Sequence, residues 1–209
     1  MVIGALNLLN MLTGGSDDAS APDQVVQPLT GFAPVPGSDS GAGGSTDDDA
    51  CDTGVGWSVN KKGVANKIYL PRKRQAGACV ASGAYADLTK DDYVAPPRPG
   101  LGFALPGLKD LPGKNRARGH LIGFAMGGSN TDTRNFVPMY QSANQAMYDH
   151  AEDKVVTSIK KGGNQFVHVT PVYDDPTSVI PTKVNFISTG TVDVRCEFDN
   201  TAAATYRCW

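Results

Sequence analysis

The chain has 209 residues, 40% of them apolar and 19% charged, with a formal net charge of −2. That is enough apolar side chain for a packed core, and the length leaves room for one sizeable domain plus a tail. No run of 18 apolar residues occurs, which excludes a membrane-spanning helix of ordinary length in this sequence.

The charge is unevenly spread. Residues 1–50 hold seven Asp and no Lys or Arg, so residues 51–209 carry a net charge of about +5. A mildly basic folded part suits a polyanionic partner, and on charge alone it suits an ordinary solvated surface equally well.

Read along the chain, residues 1–50 form an acidic Gly/Ser/Asp/Pro-rich tail, expected to be flexible because it holds too few apolar groups to offset its ordering entropy. Its first twelve residues, MVIGALNLLNML, are apolar with breaks at Gly4, Asn7 and Asn10. Three readings stay open there. One is a signal-type segment followed by the small residues Ala19-Ser20-Ala21, one the end of an upstream helix, and one a short amphipathic helix.

Four cysteines follow, Cys51, Cys79, Cys196 and Cys208, with no C-x-x-C pair. An even count behind a linker fits two disulfides in an oxidising compartment; four buried thiols are the alternative. Three connectivities are possible. Local pairing, Cys51–Cys79 and Cys196–Cys208, is expected because the last two flank a hairpin-like stretch.

GWSVNKKGVANKIYL reads as short strands around turns. PRKRQAGACVASGAYADLT reads as a basic loop with one short helix. Residues 94–114 hold five Pro and four Gly and read as loop. HLIGFAM (120–126) is a short apolar run, and NFVPM (135–139) a short strand. From Ser142, a plausible N-cap, the pattern turns helical. Ala143, Met147, Ala151, Val155 and Ile159 recur every fourth residue, until Gly162-Gly163 stops the helix. QFVHVTPVY (165–173), TKVNFIST (182–189) and VDVRCEFD (192–199) read as strands. The class is α+β with a largely antiparallel sheet.

The chemistry concentrates between Arg116 and Glu152. Arg118-Gly119-His120 sets an imidazole beside a guanidinium, and a neutral imidazole can take a proton from water near pH 7. Asn144, one turn into the helix, offers a hard carbonyl oxygen suited to Mg²⁺. Glu152 is one of only two Glu in the chain. In a regular α-helix eight residues advance about 12 Å and end about 80° off the starting face. Glu152 is therefore expected to reach waters around an ion at Asn144 but not the same coordination position. His150 should point away from that face. His168, between Val167 and Val169, reads as sheet surface or core.

RGHLIGF, NFVPM and SANQAMYDHAE together resemble the DNA/RNA non-specific endonucleases, the ββα-metal or His-Me finger nucleases that include Serratia-type and secreted streptococcal enzymes. The resemblance is strong over about 35 residues and implies a nuclease domain over 51–209 whose site sits on a ββα-metal finger. It also implies roles: His120 as general base, Asn144 as the protein ligand of Mg²⁺ (Mn²⁺ the alternative), Glu152 orienting a water in the metal's shell, Arg118 near the phosphate and Asn135 bracing the site. Many members read Asp-Arg-Gly-His where this chain has Ala117-Arg118-Gly119-His120. Arg72, Lys73, Arg74, Lys114, Arg116, Arg134 and Lys154 are candidates for phosphate contacts.

The implied function is sequence-non-specific cleavage of DNA, with RNA as a second substrate, by a secreted or exported protein. The setting is either a released nuclease or the toxin part of a larger delivered protein with an immunity partner. Against this stand a non-catalytic nucleic-acid-binding domain and an extracellular binding module.

Overall fold

The computed structural model describes residues 51–52 and 54–209, which belong to one compact unit. The expectations for residues 1–50 lie outside the described residues. Two strands, β1 (Gly56–Val59) and β2 (Ala65–Tyr69), are followed by β3 (Lys73–Gln75), β4 (Ala78–Val80) and β5 (Ala84–Leu88). After the Pro-rich loop come β6 (Ala117–His120) and β7 (Phe136–Met139). A helical rod follows, made of α1 (Gln141–Met147), a π turn (Tyr148–Glu152) and α2 (Asp153–Lys160). The chain ends in β8 (Gln165–Val172), β9 (Lys183–Gly190), β10 (Val194–Asp199) and β11 (Tyr206–Cys208).

Seven strands form an antiparallel sheet in the order β1-β2-β5-β8-β9-β10-β11, while β3-β4 and β6-β7 are separate hairpins. Along β8 the side chains of Gln165, Val167, Val169 and Pro171 are buried, and those between them are half-exposed. This alternation is what a sheet covered on one face requires. The buried faces of β8, β9 and β10 share a core with the helical rod, through Ala143, Met147, Ala151, Val155 and Ile159. Gln165, the buried polar residue of that face, is satisfied. Its Nε2 donates to Ser158 Oγ at 2.8 Å, and its Oε1 accepts from Ser188 Oγ at 2.8 Å.

The π turn explains the spacing of that stripe. Sixteen residues of plain α-helix would set Ile159 about 160° from Ala143, nearly on the opposite side. All five stripe residues are nevertheless buried. A π turn takes up one extra residue without advancing the face, so the drift falls to about 60°.

Both expected bridges are present, Cys51–Cys79 and Cys196–Cys208, the latter across directly paired positions of β10 and β11. Two local expectations are corrected. The stretch after Pro71 holds no α-helix; it forms the β3-β4 hairpin, turned by Ala76 and Gly77 at φ of +46° and +77°. Positive φ at both turn residues matches the twist of the flanking strands. Nor is Ser142 the N-cap, since α1 starts at Gln141. The Ser142 N–H donates to Asn115 Oδ1 at 3.0 Å, so a residue 27 positions earlier caps the helix.

Candidate active site

His120 ends β6, directly opposite Phe136 of β7, and is buried at 5% exposure. Its ring packs on Phe136, with centroids 4.3 Å apart, and Phe103 from the Pro-rich loop packs on the same Phe136 at 4.7 Å. Arg118, two residues back, shares the face of β6 with His120. Its Nε donates to the Phe103 carbonyl at 3.0 Å and its guanidinium lies over the Phe103 ring. Gly119 lies between them, where any Cβ would collide with the Met139 thioether.

One hydrogen bond fixes the imidazole. Nε2 lies 2.8 Å from Asn130 Oδ1. An amide oxygen only accepts, so Nε2 carries the proton and Nδ1 keeps a free lone pair. The His120 pKa is pushed down from 6.5 to about 4, chiefly by burial; the Asn130 contact opposes this and the Arg98 charge adds to it. The ring is therefore neutral at pH 7.

The loop that carries Asn130 is fastened from two sides. Buried Asn135 accepts from the Ile122 N–H at 2.8 Å and donates to the Ile122 and Ser129 carbonyls, each at 3.0 Å. From the sheet, the Tyr69 hydroxyl accepts from the Ser129 N–H at 2.8 Å. Beneath Gly127 lies a fully buried ion pair, Lys67 with Asp92.

The helical rod packs across this hairpin, α1 on β6 and α2 on the turn Phe124–Met126. Asn144 is half-buried, and among the described residues no partner takes its side-chain amide. Glu152 lies against the loop three residues beyond His120, where a Cβ at Gly123 would sit 2.7 Å from Oε2. Its carboxyl takes no hydrogen bond or ion pair from a described residue. Burial pushes its pKa from 4.5 to about 8, opposed only by the charge of Arg98. The π turn falls between these residues, so they stand about 20° apart in face rather than the 80° of a regular helix.

The sequence reading missed two of these groups. Asn130 follows a Gly-Gly-Ser turn and carries no pattern of its own. Arg98 sits in the Pro-rich loop, where no periodicity exists, yet its charge acts on both His120 and Glu152. Its place as a lone cation among Pro residues was the available signal.

Two phosphate candidates have carboxylate partners in the fold. Arg72 forks onto Asp52, with Nε to Oδ2 at 2.9 Å and Nη2 to Oδ1 at 2.8 Å. Arg134 does the same with Asp132 and also donates to the Gly54 carbonyl. Both guanidiniums are committed to carboxylates. Arg74 donates to the Gly77 carbonyl at the far hairpin. Lys73 lies over the Tyr173 ring, whereas Lys114, Arg116 and Lys154 are exposed. His150 stacks on Tyr206 and His168 on Tyr85, both outside this cluster.

Among the described residues no three His, Cys, Asp or Glu side chains converge as a metal cage. The polar atoms without protein partners are instead an amide oxygen and a carboxyl on one face of the helical rod that packs across the hairpin of His120. Hard oxygen donors with open valences fit a hydrated divalent cation.

Residues 94–190 match the DNA/RNA non-specific endonuclease family. Over that stretch the chain is similar to that family. The chain resembles NucA of Streptococcus agalactiae with magnesium bound at a TM-score of 0.51 and 15% identity, covering 72% of this chain and 85% of that one. It resembles Sda1 nuclease with bound zinc at a TM-score of 0.53 and 18% identity, covering 67% and 77%. At such identities the likeness shows the shared fold. No curated protein matches. The family acts on nucleic acid as a metal-requiring hydrolase, and among the described residues no helix is long and apolar enough to cross a membrane.

Proposed function

We propose that residues 51–209 form a sequence-non-specific endonuclease that hydrolyses phosphodiester bonds of DNA, and of RNA as a second substrate, with His120 as general base. The observation that carries this reading is the Nε2–H bond from His120 to Asn130, which leaves the Nδ1 lone pair free in a hairpin that the helix of Asn144 and Glu152 packs against. Nδ1 takes a proton from the attacking water. The water oxygen bonds to phosphorus, the bond to the 3′-oxygen breaks, and that oxygen is protonated from solvent, leaving 5′-phosphate and 3′-hydroxyl ends. A pKa of about 4 makes the free imidazole a weak base. The negative phosphodiester raises it toward neutrality as it enters.

Asn144 Oδ1 would hold the divalent ion, and Glu152, ionised by the ion's charge, would accept hydrogen bonds from the water around it. When bound, the ion neutralises charge on the phosphate and the leaving oxygen. An oxygen-only donor set favours Mg²⁺, with Mn²⁺ the alternative, over the zinc bound in Sda1. Arg98 and Arg118 flank the phosphate, and Asn135 holds the loop after His120 in place. Two disulfides favour an exported protein.

The test is nicking of supercoiled plasmid by the full chain. Cleavage should need Mg²⁺, stop with EDTA and produce no discrete fragments. A chelator-resistant or site-specific digest would refute the reading.

A further inference from the structure

The same nuclease chain carries a convergence of cations that the cleavage site does not use. Lys61, in the β1-β2 turn, and Lys160, the last residue of α2, both reach the ring of Tyr93, with Nζ 5.9 Å and 5.0 Å from its centroid. Each ammonium gains only a weak attraction to the ring. The nearby carboxylates do not neutralise them. Asp91 is paired with Lys62 at 2.7 Å, and Asp92 is buried against Lys67. Neither Lys61 nor Lys160 has a carboxylate in ion-pair range among the described residues.

This convergence is tied to the candidate active site by a short covalent path. The Val94 N–H donates to the Ala125 carbonyl at 3.1 Å, in the loop between His120 and Asn130. From Tyr93 the chain reaches Arg98 in five residues, a span of at most about 17 Å. One strand of a duplex advances about 3.4 Å per nucleotide, so the separation corresponds to about five nucleotides or fewer. The charges of Asp153, Glu152 and Asp149 all act on the Tyr148 hydroxyl, so carboxylates gather on that side of the helix. Asp149 and Asp153 make that side of the helix unfavourable for a polyanion and leave the Tyr93–Arg98 loop as the open route.

We infer that Lys61 and Lys160, gathered around Tyr93, form a second phosphate subsite that grips the nucleic-acid backbone a few nucleotides from the bond to be cut. The inference rests on the proposed nuclease reading. The ammonium pair supplies charge without reading bases, as a non-specific enzyme requires.

The experiment uses the full chain, a fluorescein-labelled 20-base-pair duplex and EDTA to prevent cleavage. Anisotropy gives Kd across a salt series for wild type and for the double variant Lys61→Gln/Lys160→Gln. Loss of two phosphate contacts should make the slope of log affinity against log salt shallower by about 1.8. Hydrolysis of bis(p-nitrophenyl) phosphate with Mg²⁺, a substrate too small to reach Tyr93, should match wild type. A wild-type slope and Kd in the double variant overturn the subsite. Absent metal-dependent hydrolysis of the small diester by wild type overturns the catalytic reading instead, and the binding slopes still decide the subsite.

Discussion

Two histidines in two regions of the molecule show what separates a structural imidazole from a candidate catalytic one. His168, on the outer face of the seven-stranded sheet, stacks on Tyr85 at 4.2 Å and bonds through Nε2 to Thr170 Oγ1 at 2.8 Å. His120, in the β6-β7 hairpin, packs at a tilt against Phe136 and bonds through Nε2 to Asn130. Burial lowers both pKa values. Taken alone, the two rings have the same kind of surroundings. The difference is what stands nearby. On the helix packed against its hairpin stand Asn144 and Glu152, without hydrogen-bond partners among the described residues, and the charge of Arg98 acts on both His120 and Glu152. Polar groups that reach solvent without protein partners, gathered near a titrating ring, are what a ligand site presents.

The largest expected effect breaks the comparison outright. His120→Ala should lower plasmid cleavage by about 10²–10⁴-fold, the usual contribution of a general base. His168→Ala should stay within about twofold of wild type. Equal losses in the two variants would mean that neither ring is the base. A smaller effect sharpens the role of the hydrogen bond. Asn130→Ala should reduce kcat by about 10–100-fold with little change in KM, because it frees the ring rather than removing it. An unchanged kcat would show that Asn130 does not hold the tautomer.

The smallest effect concerns stability. Without metal, Glu152 has its pKa raised from 4.5 to about 8, so between these values the native state holds a proton that the unfolded chain has lost. Stability from this group is full below about pH 4.5 and falls as pH rises to about 8. His120 runs the other way: its pKa is depressed from 6.5 to about 4, and its contribution is lost as pH falls through that window. In EDTA, the Tm advantage of Glu152→Gln over wild type should therefore grow from pH 5 to pH 8. Parallel Tm curves would place the carboxyl in water.

The chain-local parts of this design were legible. β-branched runs marked β8 to β10, and the RGH, NFVPM and NQ segments marked the finger. What escaped was set by distant partners. Asn115 caps α1 in place of Ser142, and Asn130 fixes the His120 ring across a ten-residue loop. Arg98 is brought to both titrating groups by a loop without periodicity. The π turn lies between these cases. A stripe repeating every four residues over sixteen is too long for a 3.6-residue period, so the irregularity was written in the sequence as a phase error.

That extra residue has a consequence for length changes. Removing one residue within Tyr148–Glu152 would let the backbone relax to ordinary i→i−4 bonding with both flanks still aimed as before. A deletion in α1 after Asn144 would swing the acid end of the rod by about 100° relative to the amide end. Natural or engineered single-residue gaps in this helix should therefore be tolerated at one place only.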